Sequence, residues 1–128
     1  MSNVVIFRGP PGSGKTTSAK VLFPHHLLLE ADQYFYDQGK IKDAHAWCLW
    51  RFKQAVDKGI PVVVANTFTR VWEIQPYLSL VPDALVVRFS GEFQNVHGVP
   101  EEKVQQMRER MEDVRGEYDL EEYLLGRS

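Results

Sequence analysis

Short apolar runs rich in β-branched residues alternate along this chain with longer segments in which apolar positions recur every three or four residues. Asn3-Val4-Val5-Ile6-Phe7 is the first run, Leu27-Leu28-Leu29-Glu30 the second, Pro61-Val62-Val63-Val64-Ala65 the third and Ala84 to Phe89 the fourth. Each reads as a strand, the first and third as strands buried within the sheet. Between them, Thr16 to Phe23 reads as a helix that Pro24 ends. Ile41 to Lys58 reads as another, with Ala44, Cys48, Phe52 and Ala55 or Val56 on one face. Gly59 and Pro61 stop it. Arg70 to Leu80 reads as a helix that Pro76 bends or splits, and Pro100 to Arg115 as the last long helix. Ala31 to Lys40 reads as a polar and aromatic loop. The tail, about 117–128, is polar, with Leu120, Tyr123, Leu124 and Leu125 as packing anchors. Strands alternating with helices imply a parallel sheet with helices on both faces, and ligands of such sheets sit beyond the carboxyl ends of the strands. One domain over residues 1–128 is expected.

Between the first strand and the first helix stands Gly9-Pro10-Pro11-Gly12-Ser13-Gly14-Lys15-Thr16, a complete Walker A string. Glycines let the backbone take positive φ and approach a phosphate, and successive N–H groups then bind its oxygens. The helix start adds its positive end. Lys15 supplies a point charge for the β- and γ-phosphates, and Thr16 a hydroxyl for a phosphate-bound Mg²⁺. The expected nucleotide-binding residues are Gly9, Pro11, Gly12, Ser13, Gly14, Lys15, Thr16 and Thr17. The expected architecture is a three-layer P-loop fold, a short parallel sheet between helices.

Composition narrows the setting. Fifteen Lys and Arg against seventeen Asp and Glu leave a formal charge of −2, which argues against a strongly basic grip on long nucleic acid. Cys48 is the only cysteine, so no intrachain disulfide forms, and it reads as a small buried residue. No run approaches membrane-spanning length and no signal peptide is read at the start, so a cytoplasmic protein without membrane contact is expected.

Asp32 follows the second strand, where a carboxylate can accept or orient a hydroxyl proton; an N-cap or turn role is the alternative. Asn66 and Thr67 follow the third strand and can bond a substrate or a metal-bound water, or simply cap a turn. Asn95 to Pro100 reads as a short lid, about 91–100, with His97 in it. Arg70 and Arg108 are candidate phosphate ligands. Trp47, Trp50 and Trp72 read as packing residues rather than stacking platforms.

Several of these pieces coincide. Gly9 to Thr16, Glu30-Ala-Asp-Gln-Tyr-Phe35, Ala44-His45, Asn66-Thr67 with Trp72-Glu73 and Pro76-Tyr77, and Asn95-Val-His-Gly-Val-Pro100 with Met107 and Arg110 occur in one order. In this the chain resembles the polynucleotide-kinase-like P-loop kinases, which include bacteriophage 5′-hydroxyl polynucleotide kinases. The resemblance implies transfer of the γ-phosphate of ATP, with Mg²⁺, to a hydroxyl of a nucleic-acid end or of modified DNA. It implies Asp32 and Lys15 as catalytic residues, Thr16 as the Mg²⁺ residue, and Asn95 and His97 as lid residues. Three positions depart from the family pattern: Ala65 stands where Asp is common, Gln94 where Arg is common, and Gln33 where a second acidic residue follows the catalytic aspartate; the stretch Ser90 to Gln94 before the lid is also short. They keep two other readings open, an ATP-binding module without transferase activity and a small-metabolite kinase.

Overall fold

The computed structural model describes residues 3–31, 33, 41–90 and 101–126. Strands β1 (Val4–Arg8), β2 (Leu27–Leu29), β3 (Val62–Asn66), β4 (Leu85–Arg88) and β5 (Tyr118–Asp119) form one sheet in the order β2-β3-β1-β4-β5. Every pairing is parallel. Helices α1 (Lys15–Leu22), α2 (Ile41–Asp57), α3 (Val71–Leu80), α4 (Glu101–Arg110) and α5 (Leu120–Leu125) connect or follow the strands.

β1 and β3 are buried along their whole length because they lie inside the sheet and are covered on both faces. Side-chain alternation divides the core. Val4, Ile6, Val62, Val64 and Val86 pack toward α2 and α3 with Cys48, Phe52, Ile74 and Tyr77. Val5, Phe7, Val63, Ala65 and Val87 pack toward α1 and α5 with Ala19, Phe23, Leu120 and Tyr123. The expected layered sheet is therefore the observed one.

α2 follows its predicted stripe: Ala44, Cys48, Phe52 and Ala55 are all buried. It ends in a Schellman turn, in which Ile60 N–H donates to the Ala55 carbonyl at 2.8 Å and Gly59 N–H to that of Val56 at 3.1 Å. Gly59 takes φ 69° there. α3 runs unbroken through Pro76, so the expected split does not occur. The last long helix is shorter than predicted and stops at Arg110. Beyond it the chain returns to the sheet as β5, a strand of two residues with no periodicity to announce it. Leu120 and Tyr123 anchor the tail as expected, whereas Leu124 and Leu125 are exposed.

Candidate active site

The order β2-β3-β1 brings three carboxyl ends side by side, and the residues just beyond them form one rim. β1 delivers the glycine loop. A Cβ on Gly9 would stand 2.8 Å from Phe89 Cβ and 2.9 Å from its carbonyl oxygen, so the loop passes too close to β4 for a side chain. Gly14 is the N-cap of α1 at φ 91°, a left-handed backbone, and no side chain caps the helix. The first amides of α1 are thus left to point into the loop.

Lys15 bends back across this loop. Its Nζ donates to the Gly9 carbonyl at 2.8 Å and the Pro10 carbonyl at 3.0 Å, and lies 3.4 Å from Ser13 Oγ. Ser13 is buried, Pro11 and Gly12 are half-buried, and Thr17 is exposed. Thr16 Oγ1 donates to Glu30 Oε2 at 3.2 Å, which ties the start of α1 to the end of β2. A hydroxyl beside a carboxylate is a pair of hard oxygen donors and suits Mg²⁺, which binds few protein groups and keeps several waters. Among the described residues no cluster of three or more His, Cys, Asp or Glu gathers for a metal. The site fits an ion shared with phosphate and water rather than one caged by protein.

The end of β2 is pinned from below. Asn66 Oδ1 accepts from Ala31 N–H at 2.8 Å, and Asn66 Nδ2 donates to Cys48 Sγ at 3.6 Å. The thiol also meets the Tyr77 hydroxyl. Burial pushes the Cys48 thiol above its ordinary range and the Tyr77 phenol well above its own, so both keep their protons. Gln33 completes the turn: Glu30 N–H donates to Gln33 Oε1 at 3.2 Å, and Gln33 Nε2 donates to the Leu28 carbonyl at 3.0 Å.

The third strand's end is held to the first. Gly9 N–H donates to the Thr67 carbonyl at 3.2 Å. Arg8 is fully buried; Nη2 and Nε donate to the Phe68 carbonyl at 2.7 and 3.1 Å, and Nη1 pairs with Glu117 Oε1 at 2.8 Å. Phe68 is the one non-glycine residue among those described with positive φ, at 45°.

The residues predicted from sequence divide accordingly. Gly9 to Thr16, Asn66 and Thr67 share the rim. Arg70 caps α3 through its backbone, and its guanidinium stands 3.7 Å from Glu112 on the exterior. Arg108 falls within α4, with its side chain outside what is described. Asp32, Gln94, Asn95 and His97 lie outside the described residues. Two residues escaped the sequence reading. Glu30 sits at the end of an apolar run, where a charge should have signalled the strand's functional edge. Arg8, lodged between a buried strand and the glycine loop, carried the same signal. The tryptophans also differ from expectation: Trp47 packs against the core, but Trp50 and Trp72 are exposed.

Comparison with known proteins agrees with this geometry. The AAA domain family (AAA_33) matches residues 4–90. Human NEDD4-binding protein 2 is 34% identical over 130 aligned positions, covering 83% of this chain and 7% of that protein. The chain thus spans a small fraction of that relative's length. Among solved structures, an unliganded sugar kinase from Janibacter sp. HTCC2649 superposes with TM-score 0.66 at 14% identity, covering 94% of this chain and 84% of that one. A gluconokinase from Sinorhizobium meliloti 1021 gives TM-score 0.62 at 17% identity, covering 91% and 80%. These two show a shared fold. No described helix is long and apolar enough to cross a membrane. Over residues 4–90, from the start of its first strand to just past its fourth, the chain belongs to the AAA domain family, a family of P-loop kinases.

Proposed function

We propose that the chain is a phosphotransferase that moves the γ-phosphoryl group of ATP to a hydroxyl of a small acceptor. The observation that carries this reading is the union of the glycine loop with the Thr16–Glu30 pair, 3.2 Å apart, at the ends of neighbouring elements. Loop amides and Lys15 hold the β- and γ-phosphates. Mg²⁺, when bound, neutralises charge on those phosphates; Thr16 would hold it directly and Glu30 through water. Asp32 orients the acceptor hydroxyl and takes its proton. The acceptor oxygen bonds to the γ-phosphorus as the bond to the β–γ bridging oxygen breaks, and ADP leaves.

A small acceptor is supported by the two neighbours of known structure, a sugar kinase and a gluconokinase. A second reading, the 5′-hydroxyl of a polynucleotide, is favoured by the ordered segments Glu30 to Phe35 and Asn95 to Pro100, which resemble the polynucleotide-kinase-like group. The test is transfer from γ-labelled ATP, with Asp32→Asn compared in parallel for ATP binding. The variant keeps its ATP affinity and loses transfer by about 100-fold or more. Unchanged transfer would overturn the role of Asp32. ATP binding with no labelled acceptor from a metabolite extract or an oligonucleotide pool would make this a binding module instead.

A further inference from the structure

β2 stands at one edge of the sheet, with β3 on one side and no described strand on the other. Backbone groups along a strand point alternately to its two sides. Leu27 N–H donates at 2.8 Å to the carbonyl of Pro61, just before β3. Leu27 and Leu29 therefore turn their backbone groups toward β3, and Leu28 and Glu30 turn theirs to the open edge. An edge strand leaves such groups without a ladder partner. Here Gln33 supplies one: its Nε2 donates to the Leu28 carbonyl at 3.0 Å, and its Oε1 accepts from Glu30 N–H at 3.2 Å. These are the two bonds that a neighbouring parallel strand would make around Leu29.

Gln33 also holds Glu30 through its own backbone, since Gln33 N–H donates to the Glu30 carbonyl at 3.1 Å. Both main-chain groups of Glu30 are thus engaged by one residue. The next residue is held from the opposite side. Backbone pairing of β2 with β3 ends at Leu29 and Val64, and two positions on Ala31 N–H donates to Asn66 Oδ1 at 2.8 Å. Glu30 is fixed between these two side-chain amides, with its Oε2 3.2 Å from Thr16 Oγ1.

The residue type matters. A side-chain amide donates and accepts at once, whereas a carboxylate only accepts. An acid at position 33, as in the resembling family, would turn a negative oxygen toward the Leu28 carbonyl and set a second charge beside Glu30. The departure at Gln33 is matched by a bonding pattern that an acid cannot make. Partners that orient a metal site's ligands from outside govern how tightly the site holds its ion.

We infer that Gln33 is a positioning residue for Glu30: its amide plays the part of a neighbouring strand at the open edge of β2 and keeps the Glu30 carboxylate at Thr16, where it favours the Mg²⁺-loaded nucleotide over the metal-free one. The inference rests on the phosphotransferase reading, in which Thr16 and Glu30 serve Mg²⁺, and deepens it.

The test is calorimetric titration of a non-hydrolysable ATP analogue, once with Mg²⁺ and once with EDTA. The proteins are the wild type, Gln33→Met, Gln33→Glu, Glu30→Gln and the double variant Glu30→Gln with Gln33→Met. Gln33→Met keeps the length of the side chain and loses both of its bonds. It should weaken binding about tenfold in Mg²⁺ and leave binding in EDTA unchanged. Gln33→Glu should do no better. On the Glu30→Gln background, Gln33→Met should have no further effect, because it acts through that carboxylate. An equal loss in both conditions, undiminished binding in Mg²⁺, full activity of Gln33→Glu in this assay, or losses that simply add would overturn the positioning role and leave the phosphotransferase reading standing. A wild type that binds the analogue equally with and without Mg²⁺ would overturn this role together with the metal's place at Thr16 and Glu30. A wild type that does not bind it at all would overturn the phosphotransferase reading as well.

Discussion

Cys48 and Tyr77 hold protons that the unfolded chain gives up first. Both are buried behind the rim, and desolvation raises both above their ordinary values of 9.0 and 10.0. Above pH 9 the unfolded chain releases the thiol proton while the folded chain keeps it. Stability is therefore fully present below about pH 9 and declines with rising pH, by up to about 1.4 kcal/mol per unit for each such group. Urea denaturation between about pH 8 and about pH 10.5 checks this. Cys48→Ala should delay the decline until the unfolded tyrosine begins to ionise, near pH 10. A wild type and variant that lose stability in parallel from pH 9 would contradict it. Asn66 links this buried group to the end of β2, because its amide holds both Cys48 Sγ and the backbone of Ala31. Ala65 shows the other side of the same strand end. It is buried against the α1 face, so it supplies packing where a carboxylate is common in the resembling family.

The strand ends depend on a buried ion pair that joins distant segments. Arg8 in β1 reaches the turn after β3 and Glu117 before β5, while Glu117 Oε2 accepts from Val114 N–H at 2.9 Å and lies 3.6 Å from Arg88. Arg8→Met takes the nearest cation from Glu117, leaving it Val114 N–H and the more distant Arg88, and strips the Phe68 carbonyl of its donors; it should cost about 3 kcal/mol or more in urea or thermal unfolding. Adding Glu117→Gln removes the stranded charge and should recover part of that loss. A double variant no more stable than the single one would show that the charge is not what the pair compensates. Elements of this kind also explain what the sequence could reveal. β1, β3 and α2 were legible because burial on two faces or one stripe forces an apolar pattern. β5 was not, since Tyr118 and Asp119 are both exposed and pair only through the backbone. Pro76 misled because it predicts an interruption, whereas flanking packing by Ile74 and Tyr77 keeps α3 whole. The glycine loop was legible as a string, but the partnership of Thr16 with Glu30 appears only when β2 is placed beside β3.

Across the whole molecule, the two faces of the sheet serve different ends. The α1 face carries the phosphate loop, and the α2–α3 face carries a cleft lined by Leu49, Trp72 and Tyr77; β1 and β3 run between them, with Gly9 bonded to Thr67 and Arg8 to Phe68. An acceptor and a nucleotide would thus meet over the carboxyl edge, as parallel sheets of this kind dispose their ligands. The fold is shared with a sugar kinase and a gluconokinase, and fold alone does not choose a substrate. The central claim is that the turn after β1 grips a polyphosphate. Calorimetric titration of ATP in Mg²⁺ into the wild type and into Lys15→Ala tests it most directly. Stoichiometric binding by the wild type, weakened about tenfold or more by the variant, is the predicted result. Equal affinity in the two proteins, or no binding by a folded wild type, would contradict it.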